Sequence, residues 1–374
     1  QNIIDSDAFR EKKVDDALEL YKTAITFLAR NRRALDVIVC VIPDELFEAI
    51  AKDSAVEEGG EDVDEIVPES DDKATDIENN FRRALKAASL KLEKPLQLVQ
   101  EKSLTDRSPQ DAASKAWNFC TAIYYKTNQT VPWKLVSSPN EPPACFVGIG
   151  FFRSRDKEVI HTSLAQIFDE LGNNVILRGG QAYQDDKIDR RPHLTGEQTT
   201  ALLGRALDDY KLANETLPAR LVVHKTSLFT GEEKEACLAT CKDRGIDRVD
   251  LISFVDTTDR AFRIGQYPPY RGTLISFDKK SHLLYTRGSV PFYKTYTGMY
   301  VPQPLEIRVE HSDSSVEKIA REILGLTKMN WNSTRFDGKY PITLLCSKKV
   351  GEIMKYLDEG FEPRPGVISY GYYM

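Results

Sequence analysis

The apolar positions near the start of the chain follow two different periods. Across 8–33 they recur every three or four residues, which predicts an amphipathic helix whose buried face carries Val14, Ala17, Leu18, Tyr21 and Ile25. The next run, 34–42, reads ALDVIVCVI, and this continuous apolar pattern predicts a strand buried on both faces in a parallel sheet. Pro43-Asp44-Glu45 then predicts the start of another helix. A helix, a buried strand and a helix in succession indicate α/β organisation.

Further along, the pattern changes to β-rich runs joined by short polar turns. The runs at 144–152, 158–168 and 174–177 predict an antiparallel meander. Helices and strands alternate after it, with helices expected at 195–212 and 231–244 and strands at 219–223, 248–255, 272–278 and 282–286. A meander followed by alternating helices and strands is the element order of an RNase H-like fold.

Two stretches of unusual composition divide the chain. The Pro-rich segment between Thr130 and Pro143 predicts a connection, which places one domain at 1–135 and a second at 136–374. The stretch 53–72 contains ten acidic residues and no basic one, which favours a mobile surface loop over a segment that guards a basic site. A chain of 374 residues has room for two domains.

Composition narrows the class of protein. Hydrophobic residues make up 41% and charged residues 29% of the chain, as in globular proteins. Neither an apolar run of membrane-spanning length nor a leader pattern is found, so we expect a cytoplasmic protein without membrane contact. The six cysteines lack the spacing of a zinc site, which favours reduced thiols. A net charge of −6 argues mildly against nucleic-acid binding, so any such function must depend on local patches.

One segment, 82–126, carries a local surplus of positive charge. It holds nine Lys/Arg against four Asp/Glu, a balance of +5. Arg82 and Lys86 are four residues apart on one face of a predicted helix, Gln97 lies at a turn, and Lys126 closes a second helical pattern. Such a set could converge on a phosphate, because lysines supply charge while an amide fixes orientation. The alternative is a set of solvated side chains on surface helices.

These residues also carry a resemblance to a known family. The pattern Arg-x-x-x-Lys, then Gln97 in Pro-Leu-Gln-Leu-Val-Gln, then Asn-Phe-Cys and Lys126, resembles the MID domain of Argonaute proteins. The resemblance implies that Arg82 (where the family often has Tyr), Lys86, Gln97 and Lys126 bind the 5′-phosphate of a guide strand. It also implies that the C-terminal carboxylate of Met374 contributes. A Mg²⁺ ion held by Met374 and Gln97 would relieve the repulsion between carboxylate and phosphate.

The C-terminal third resembles the PIWI domain of the same family, so the similarity covers nearly the whole chain. The matching motifs are PYRGT at 269–273, LYTRG at 284–288, YVPQPL at 300–305, LTKMNWNSTR at 326–335 and YGYYM at 370–374. The fold class implied is α/β, with a Rossmann-like MID domain at 1–135 followed by an RNase H-like PIWI domain at 136–374. By the same resemblance, Arg335 is expected to contact the guide backbone, and Lys328 and Arg271 are further candidates.

The positions of the PIWI catalytic acids are filled by other residues. RNase H-type cleavage needs carboxylates that hold two divalent ions. The matching positions are Gly150 on the first strand, Thr226 in the turn His-Lys-Thr-Ser, and Ser347 after a strand expected from Pro341. We therefore expect no catalytic residues and no cleavage. Other acids, at Asp185, Asp186 and Glu197, lie where the family has a mobile glutamate, and they are expected on a surface loop.

A chain with these features resembles the short prokaryotic Argonautes, guide-binding subunits of defence systems. The resemblance implies a small 5′-phosphorylated guide RNA and complementary invading DNA, recognised by base pairing. It also implies a partner APAZ protein with a TIR or sirtuin-like NAD-consuming effector. The sequence leaves guide chemistry, effector identity and oligomeric state open.

Two other functions remain as alternatives. One is an active guide-dependent nuclease whose acids are unrecognised. The other is a small-molecule enzyme in the first domain, although no Gly-x-Gly-x-x-Gly follows the strand at 37–42.

Overall fold

The computed structural model divides into two compact units. The first comprises Gln1–Pro132 with Glu352–Met374, and the second comprises Trp133–Gly351. The sequence placed the whole of 136–374 in one domain, whereas here the last part of the chain packs with the first unit. The structure describes residues 2–32, 34–51, 73–105, 111–128, 131–135, 144–154, 159–168, 174–185, 189–262, 264–265, 267–293, 296, 301–331, 338–358, 361 and 369–374. The acidic stretch 53–72, for which a mobile surface loop is predicted, lies outside the described residues.

The first unit combines helices with a small parallel sheet. Its elements are α1 (Asn2–Asn31), β1 (Ile38–Ile42), α2 (Asp44–Ala51), α3 (Lys73–Lys91), β2 (Leu96–Gln100), α4 (Glu101–Leu104) and α5 (Ala112–Asn128). In the described part of this unit β1 and β2 pair in parallel, with Ile38 opposite Leu96 and Ile42 opposite Gln100. The predicted helix–strand–helix order is therefore confirmed.

The prediction that the first strand is buried on both faces is wrong. Strand β1 is five residues long and its side chains alternate between buried and exposed. Ile38, Cys40 and Ile42 pack in a core with α1 and α3, whereas Val39 and Val41 are exposed. A run of apolar residues gives no sign of which face lacks a covering layer, because both faces carry the same residue types.

The second unit is built on a large mixed sheet. Its strands are β3 (Ala144–Arg153), β4 (Ile160–Phe168), β5 (Asn174–Gln181), β6 (Tyr183–Asp185), β7 (Asp189–His193), β8 (Arg220–Lys225), β9 (Arg248–Asp256), β10 (Leu274–Ser276), β11 (Ser281–Leu284) and β12 (Leu305–His311). Its helices are α6 (Gly196–Asn214), α7 (Gly231–Asp243), α8 (Val316–Leu326) and α9 (Ile342–Met354), the last of which runs into the first unit. Within the described residues the order of the large sheet is β10-β11-β12-β9-β8-β3-β4-β5.

The topology confirms the predicted meander. Strands β3, β4 and β5 are antiparallel neighbours, and β8 and β9 continue the sheet parallel to β3. The helices after the meander start at the predicted places, because Thr195 and Thr230 each form a capping box with the residue three positions later. The three parallel strands therefore bring their C-terminal ends to one edge of the sheet, where α/β folds hold ligands.

The C-terminal third contains elements that the sequence did not predict. Strand β12 and helices α8 and α9 were missed, and the strand expected from Pro341 to Ser347 is wrong. Pro341 precedes the first residue of α9, a position where its missing N–H costs no hydrogen bond. This helix buries four apolar residues at helical spacing, Ile342, Leu345, Val350 and Ile353. A short apolar run after a proline is also compatible with a strand, so the pattern alone does not distinguish the two. Across the described residues, no helix has both the length and the apolar content that a membrane span requires.

Candidate anion-binding site and sheet edge

Helix α3 positions the first two predicted phosphate ligands. Arg82 and Lys86 are both half-buried and lie one turn apart, as the sequence predicted. The ammonium of Lys86 donates a hydrogen bond to the backbone carbonyl of Tyr373 at 3.3 Å. This contact brings the penultimate residue of the chain to the same helix face that carries both cations.

Strand β2 and helix α5 position the other two ligands. Gln97 is the second residue of β2, rather than part of a turn as the sequence suggested. The Lys126 ammonium donates to the Gln97 side-chain oxygen at 2.5 Å and to the Leu96 carbonyl at 3.0 Å. The Gln97 amide nitrogen donates to the carbonyl of Leu98, which fixes the direction in which the amide points. Lys126 is 3% exposed, so its charge is held inside the first unit.

The chain's last residues form the link between α3 and α5. Tyr370–Tyr372 makes a 3₁₀ turn that Ser369 caps, and the Met374 amide donates to the carbonyl of Tyr370. Gly371 lies against the ring of Tyr125 on α5, where an added Cβ would sit 3.4 Å from a ring carbon. Burial raises the pKa of the Tyr373 phenol, which therefore stays neutral. The tail thus contacts both helices that carry the lysines.

The site has a positive balance among its predicted members. Arg82, Lys86 and Lys126 supply three positive charges. A doubly charged phosphate monoester would offset this balance, and charge-assisted hydrogen bonds from lysine are about twice as strong as neutral ones. The sequence missed the backbone carbonyls of Leu96 and Tyr373, because carbonyl positions leave no trace in side-chain patterns.

The predicted magnesium site fits these residues poorly at Gln97. The Gln97 oxygen that would coordinate the ion already accepts a hydrogen bond from the Lys126 ammonium. A dication at that oxygen would face a positive charge at short range, which is strongly unfavourable in a buried site. Of the two predicted ligands, only the carboxylate of Met374 keeps the chemistry that Mg²⁺ prefers.

The three predicted guide-backbone residues lie in different settings. Arg335 is outside the described residues. Arg271 donates to the Leu324 carbonyl at 3.0 Å and to the Thr327 hydroxyl at 2.7 Å, contacts that tie its loop to α8. Lys328 follows α8 and is exposed. Lys328 is therefore the described member whose side chain is most accessible to a polyanion.

In the second unit, the three positions matched to catalytic acids meet at one edge of the sheet. The register places Gly148 beside His224 and Ile149 beside Lys225, so Gly150 lies next to Thr226. A Cβ added at Gly150 would lie 2.7 Å from the hydroxyl oxygen of Ser347 on α9. The three positions named from the sequence therefore lie close together, with Ser347 on a helix rather than after the expected strand.

This edge is closed by small side chains. Ser163 on β4 lies opposite Gly150, and its hydroxyl donates to the Ser347 carbonyl at 2.7 Å. Ser163 and Ser347 are both fully buried. An added Cβ at Gly148 would lie 2.3 Å from the Thr343 carbonyl, so glycines on β3 let α9 approach the sheet closely. A side chain at position 150 would crowd Ser347, because an added Cβ would also lie 3.1 Å from the Ser347 Cβ.

The opposite face of the same strands holds a buried ion pair. The Lys225 ammonium lies 2.6 Å from a carboxylate oxygen of Glu233, near the first turn of α7. Hydrogen bonds from His193 and Lys225 lower the pKa of Glu233 to about 2, against the effect of burial.

On the α9 face, burial lowers the pKa of His224 to about 3, so this ring is neutral and hydrogen-bonds to Thr343. In the described part of the chain no three His, Cys, Asp or Glu side chains group as metal ligands.

Solved structures show which proteins share this fold. Clostridium butyricum Argonaute bound to a guide DNA and a 19-mer target DNA matches with a TM-score of 0.65 at 17% identity, covering 93% of this chain and 41% of that one. Drosophila Piwi matches at 0.66 and 16% identity, covering 96% and 44%. Aa-Ago with externally bound siRNA matches at 0.59 and 19% identity, covering 95% and 44%. No family model and no curated protein matches the chain.

The fold is that of Argonaute and Piwi proteins, which confirms the predicted α/β class and the resemblance at the level of fold. The chain spans less than half the length of each of the three structures.

Proposed function

We propose that this chain binds the 5′-phosphorylated end of a small guide nucleic acid through the first unit. The observation that carries the proposal is the buried Lys126 ammonium held against Gln97, on a unit whose α3 presents Arg82 and Lys86 beside the tail. Three of these side chains are cations, and Gln97 adds an amide of fixed direction. An Argonaute-like fold supports a guide, rather than a free phosphate, as the ligand.

The chemistry of the site separates affinity from sequence recognition. Phosphate contacts fix the position and register of a strand without reading its bases. Sequence would then be read by pairing between guide and target, as in other guided systems. A buried lysine suits the first task, because its surroundings hold the ammonium in one place and water screens it less. We propose a guide RNA and a complementary DNA target as the pair.

The experiment compares binding of a guide-length RNA with and without a 5′-phosphate at physiological salt. We expect tighter binding of the phosphorylated strand, and we expect Lys86→Met with Lys126→Met to abolish the difference. Methionine keeps most of the side-chain volume, so packing is disturbed less than by alanine. Lys91→Met is the matched control, because Lys91 is on the same helix but pairs with Asp358. A folded double variant that keeps the phosphate preference would refute the site.

The role of magnesium is tested in the same assay. We propose that Mg²⁺, where it contributes, acts at the Met374 carboxylate and not at Gln97. Chelation should then weaken binding of the phosphorylated strand without removing the preference, because three cations remain. Loss of the whole preference on chelation would contradict a site built on the lysines.

We further propose that the second unit does not cleave the target. Gly150, Thr226 and Ser347 bear no carboxylate, and the contact of Ser347 with Gly150 leaves no space for one. Cleavage of a labelled complementary strand in Mg²⁺ or Mn²⁺ would contradict this proposal and favour the nuclease alternative.

An inactive guide-binding chain needs an effector elsewhere, and we propose an APAZ protein with a TIR or sirtuin-like NAD-consuming domain in a prokaryotic defence system. The support is the sequence resemblance to short prokaryotic Argonautes. Co-purification of the chain with proteins encoded beside it, followed by an NAD-consumption assay with guide and target, tests this step. A reconstituted pair that consumes no NAD⁺ when guide and target are present would remove the NADase from the proposal.

A further inference from the structure

Helix α5 is apolar on two opposite sides. One side is buried in the first unit through Ala122, Tyr125 and Lys126. On the other side, Trp117 is 57% exposed and Tyr124 is 48% exposed. A surface helix of a globular protein usually carries one apolar stripe and an opposite polar face. A second apolar stripe, which faces solvent, therefore indicates a surface that another molecule covers.

The exposed stripe has the spacing of a seam between packed helices. Its members follow one another at intervals of four, three and four residues and are Ala113, Trp117, Cys120 and Tyr124, all of them exposed. These intervals are those of the core positions of a coiled coil, whose side chains insert between the side chains of a facing helix. We call these four residues the α5 seam. Its spacing fits a helix as the occupant.

The α5 seam offers no charge for a partner of opposite sign. The charged residues of α5 are Lys115 and Lys126, which stand about three turns apart on the side of the helix away from the seam. Lys126 is buried, and the Lys115 ammonium donates to the Thr105 carbonyl at 3.3 Å. In a chain with 29% charged residues, this face is therefore set apart by its neutrality. A neutral face can meet its own copy without the repulsion that a charged face would suffer.

The α5 seam is also complementary to itself. In an antiparallel pair of α5 helices, a two-fold axis beside Cys120 places Trp117 of one copy against Tyr124 of the other, and the symmetry repeats this contact. Asn128 of one copy then lies against Ala113 of the other. The small Cys120 side chain at the axis lets the two helices approach closely. Each large ring thus meets a ring, and such aromatic pairs stabilise a contact beyond the area that they bury.

We propose that the α5 seam is the contact between two copies of this chain, which pair through antiparallel α5 helices about a two-fold axis beside Cys120. The inference does not rest on the proposed guide binding, because the seam lies on the side of α5 opposite Lys126. One pair of short helices buries less surface than a permanent dimer does, so the association is weak and depends on concentration. The Cys120 thiol is open to solvent in the single chain and covered in the pair.

The first test measures the mass of the full chain by sedimentation velocity from low to high micromolar concentration, without nucleic acid. We expect a monomer at low concentration and a dimer at high concentration. Trp117→Ser with Tyr124→Ser should weaken self-association about tenfold or more, because both symmetric ring contacts are lost. Leu212→Ser is the matched control, since Leu212 is 81% exposed but lies on α6 in the second unit, and it should dimerise like the original chain. An unchanged urea midpoint shows that each variant is folded.

The second test locates the axis through the thiol. All six cysteines are described, and Cys120 is exposed whereas the other five are buried. A short bismaleimide should therefore join the Cys120 thiols of two copies, and Cys120→Ser should prevent this product. A maleimide with one reactive group should label Cys120 more slowly as the protein concentration rises, because the dimer covers the thiol.

Several results would overturn the proposal. A chain that stays monomeric at every concentration would do so, as would a folded Trp117→Ser, Tyr124→Ser variant that dimerises as tightly as the original chain. A dimer whose Cys120 thiols cannot be joined would refute the antiparallel pairing beside Cys120. A chain that does not self-associate but binds a different protein through Trp117 would refute a second copy as the occupant. The preference for a 5′-phosphate is measured separately, so failure of either proposal leaves the other standing.

Discussion

Replacing Gly150 by alanine should destabilise the second unit, because the new methyl group has no space. The added Cβ would lie 2.7 Å from the hydroxyl oxygen and 3.1 Å from the Cβ of Ser347. The Ser347 hydroxyl donates to the Leu344 carbonyl at 3.0 Å, so turning it away from the methyl group breaks that hydrogen bond and still leaves the contact with the Ser347 Cβ. Overpacking of this kind costs about 1–3 kcal/mol.

A second substitution shows whether Ser347 is the cause. Ser347→Ala removes the nearer contact but leaves the one at 3.1 Å, so it should restore part of the loss in the Gly150→Ala background. We expect a coupling energy of about 1 kcal/mol between the two positions. Gly231→Ala is the control, because nothing lies within 4 Å of a Cβ there.

Urea unfolding followed by tryptophan fluorescence measures these effects. Trp331 is fully buried in the second unit, whereas Trp117 in the first unit is exposed, so the change in emission on unfolding comes mainly from the unit that holds Gly150. A Gly150→Ala chain that unfolds at the original urea concentration would refute the steric argument. A chain with both Gly150→Ala and Ser347→Ala that is no more stable than Gly150→Ala alone would also refute it. The same contact implies that an aspartate at 150 would disturb α9 rather than rebuild a metal site.

Other predictions concern the buried ion pair and the thiols. Glu233→Gln should cost about 3–5 kcal/mol in a urea titration, because it leaves the charge of Lys225 buried without its carboxylate, and the exposed Glu235→Gln on the same helix should cost little. Since the pKa of Glu233 is lowered from 4.5 to about 2, its contribution to stability should be complete above pH 4.5 and be lost as the pH falls toward 2. Acid titration of the Glu233→Gln variant should then show a smaller loss over that range than the original chain. All six cysteines lie in the described part of the chain and Cys120 is exposed while the others are buried, so the native protein should react quickly at one thiol and Cys120→Ser should remove that reaction.

Most of the fold could be read from local patterns. The meander at β3–β5 and the helices α6 and α7 carry strong periods and capping residues, so their existence and order followed from the sequence. Helix α9 was misread because a short apolar run after a proline fits a strand as well as a buried helix. The exposure of Val39 and Val41 was not predicted, because it depends on tertiary packing against that face of β1 and not on the residue types of the strand.

The candidate site, too, could be predicted from the sequence only in part. Arg82 and Lys86 share a helix face by spacing alone, and Gln97 and Lys126 joined the set through their places in the same basic segment, which the resemblance supports. The direct contact of Lys126 with Gln97 needed the structure, because it joins elements separated by a chain reversal. The exposure of Phe262 and Phe292 was not predicted either, since the loops that carry them have no period and exposure depends on tertiary packing.

The tail that joins α3 and α5 also has a consequence for the order of folding. The first unit is assembled from the two ends of the chain, with the whole second unit inserted between them. During synthesis, Tyr125 and Lys86 must wait for their partners until the second unit has been made. Closing so long a loop costs entropy and slows folding, so the second unit should become compact first and bring the ends together. A fragment that stops at residue 132 would lack the 3₁₀ turn at Tyr370–Tyr372 that packs against α3 and α5.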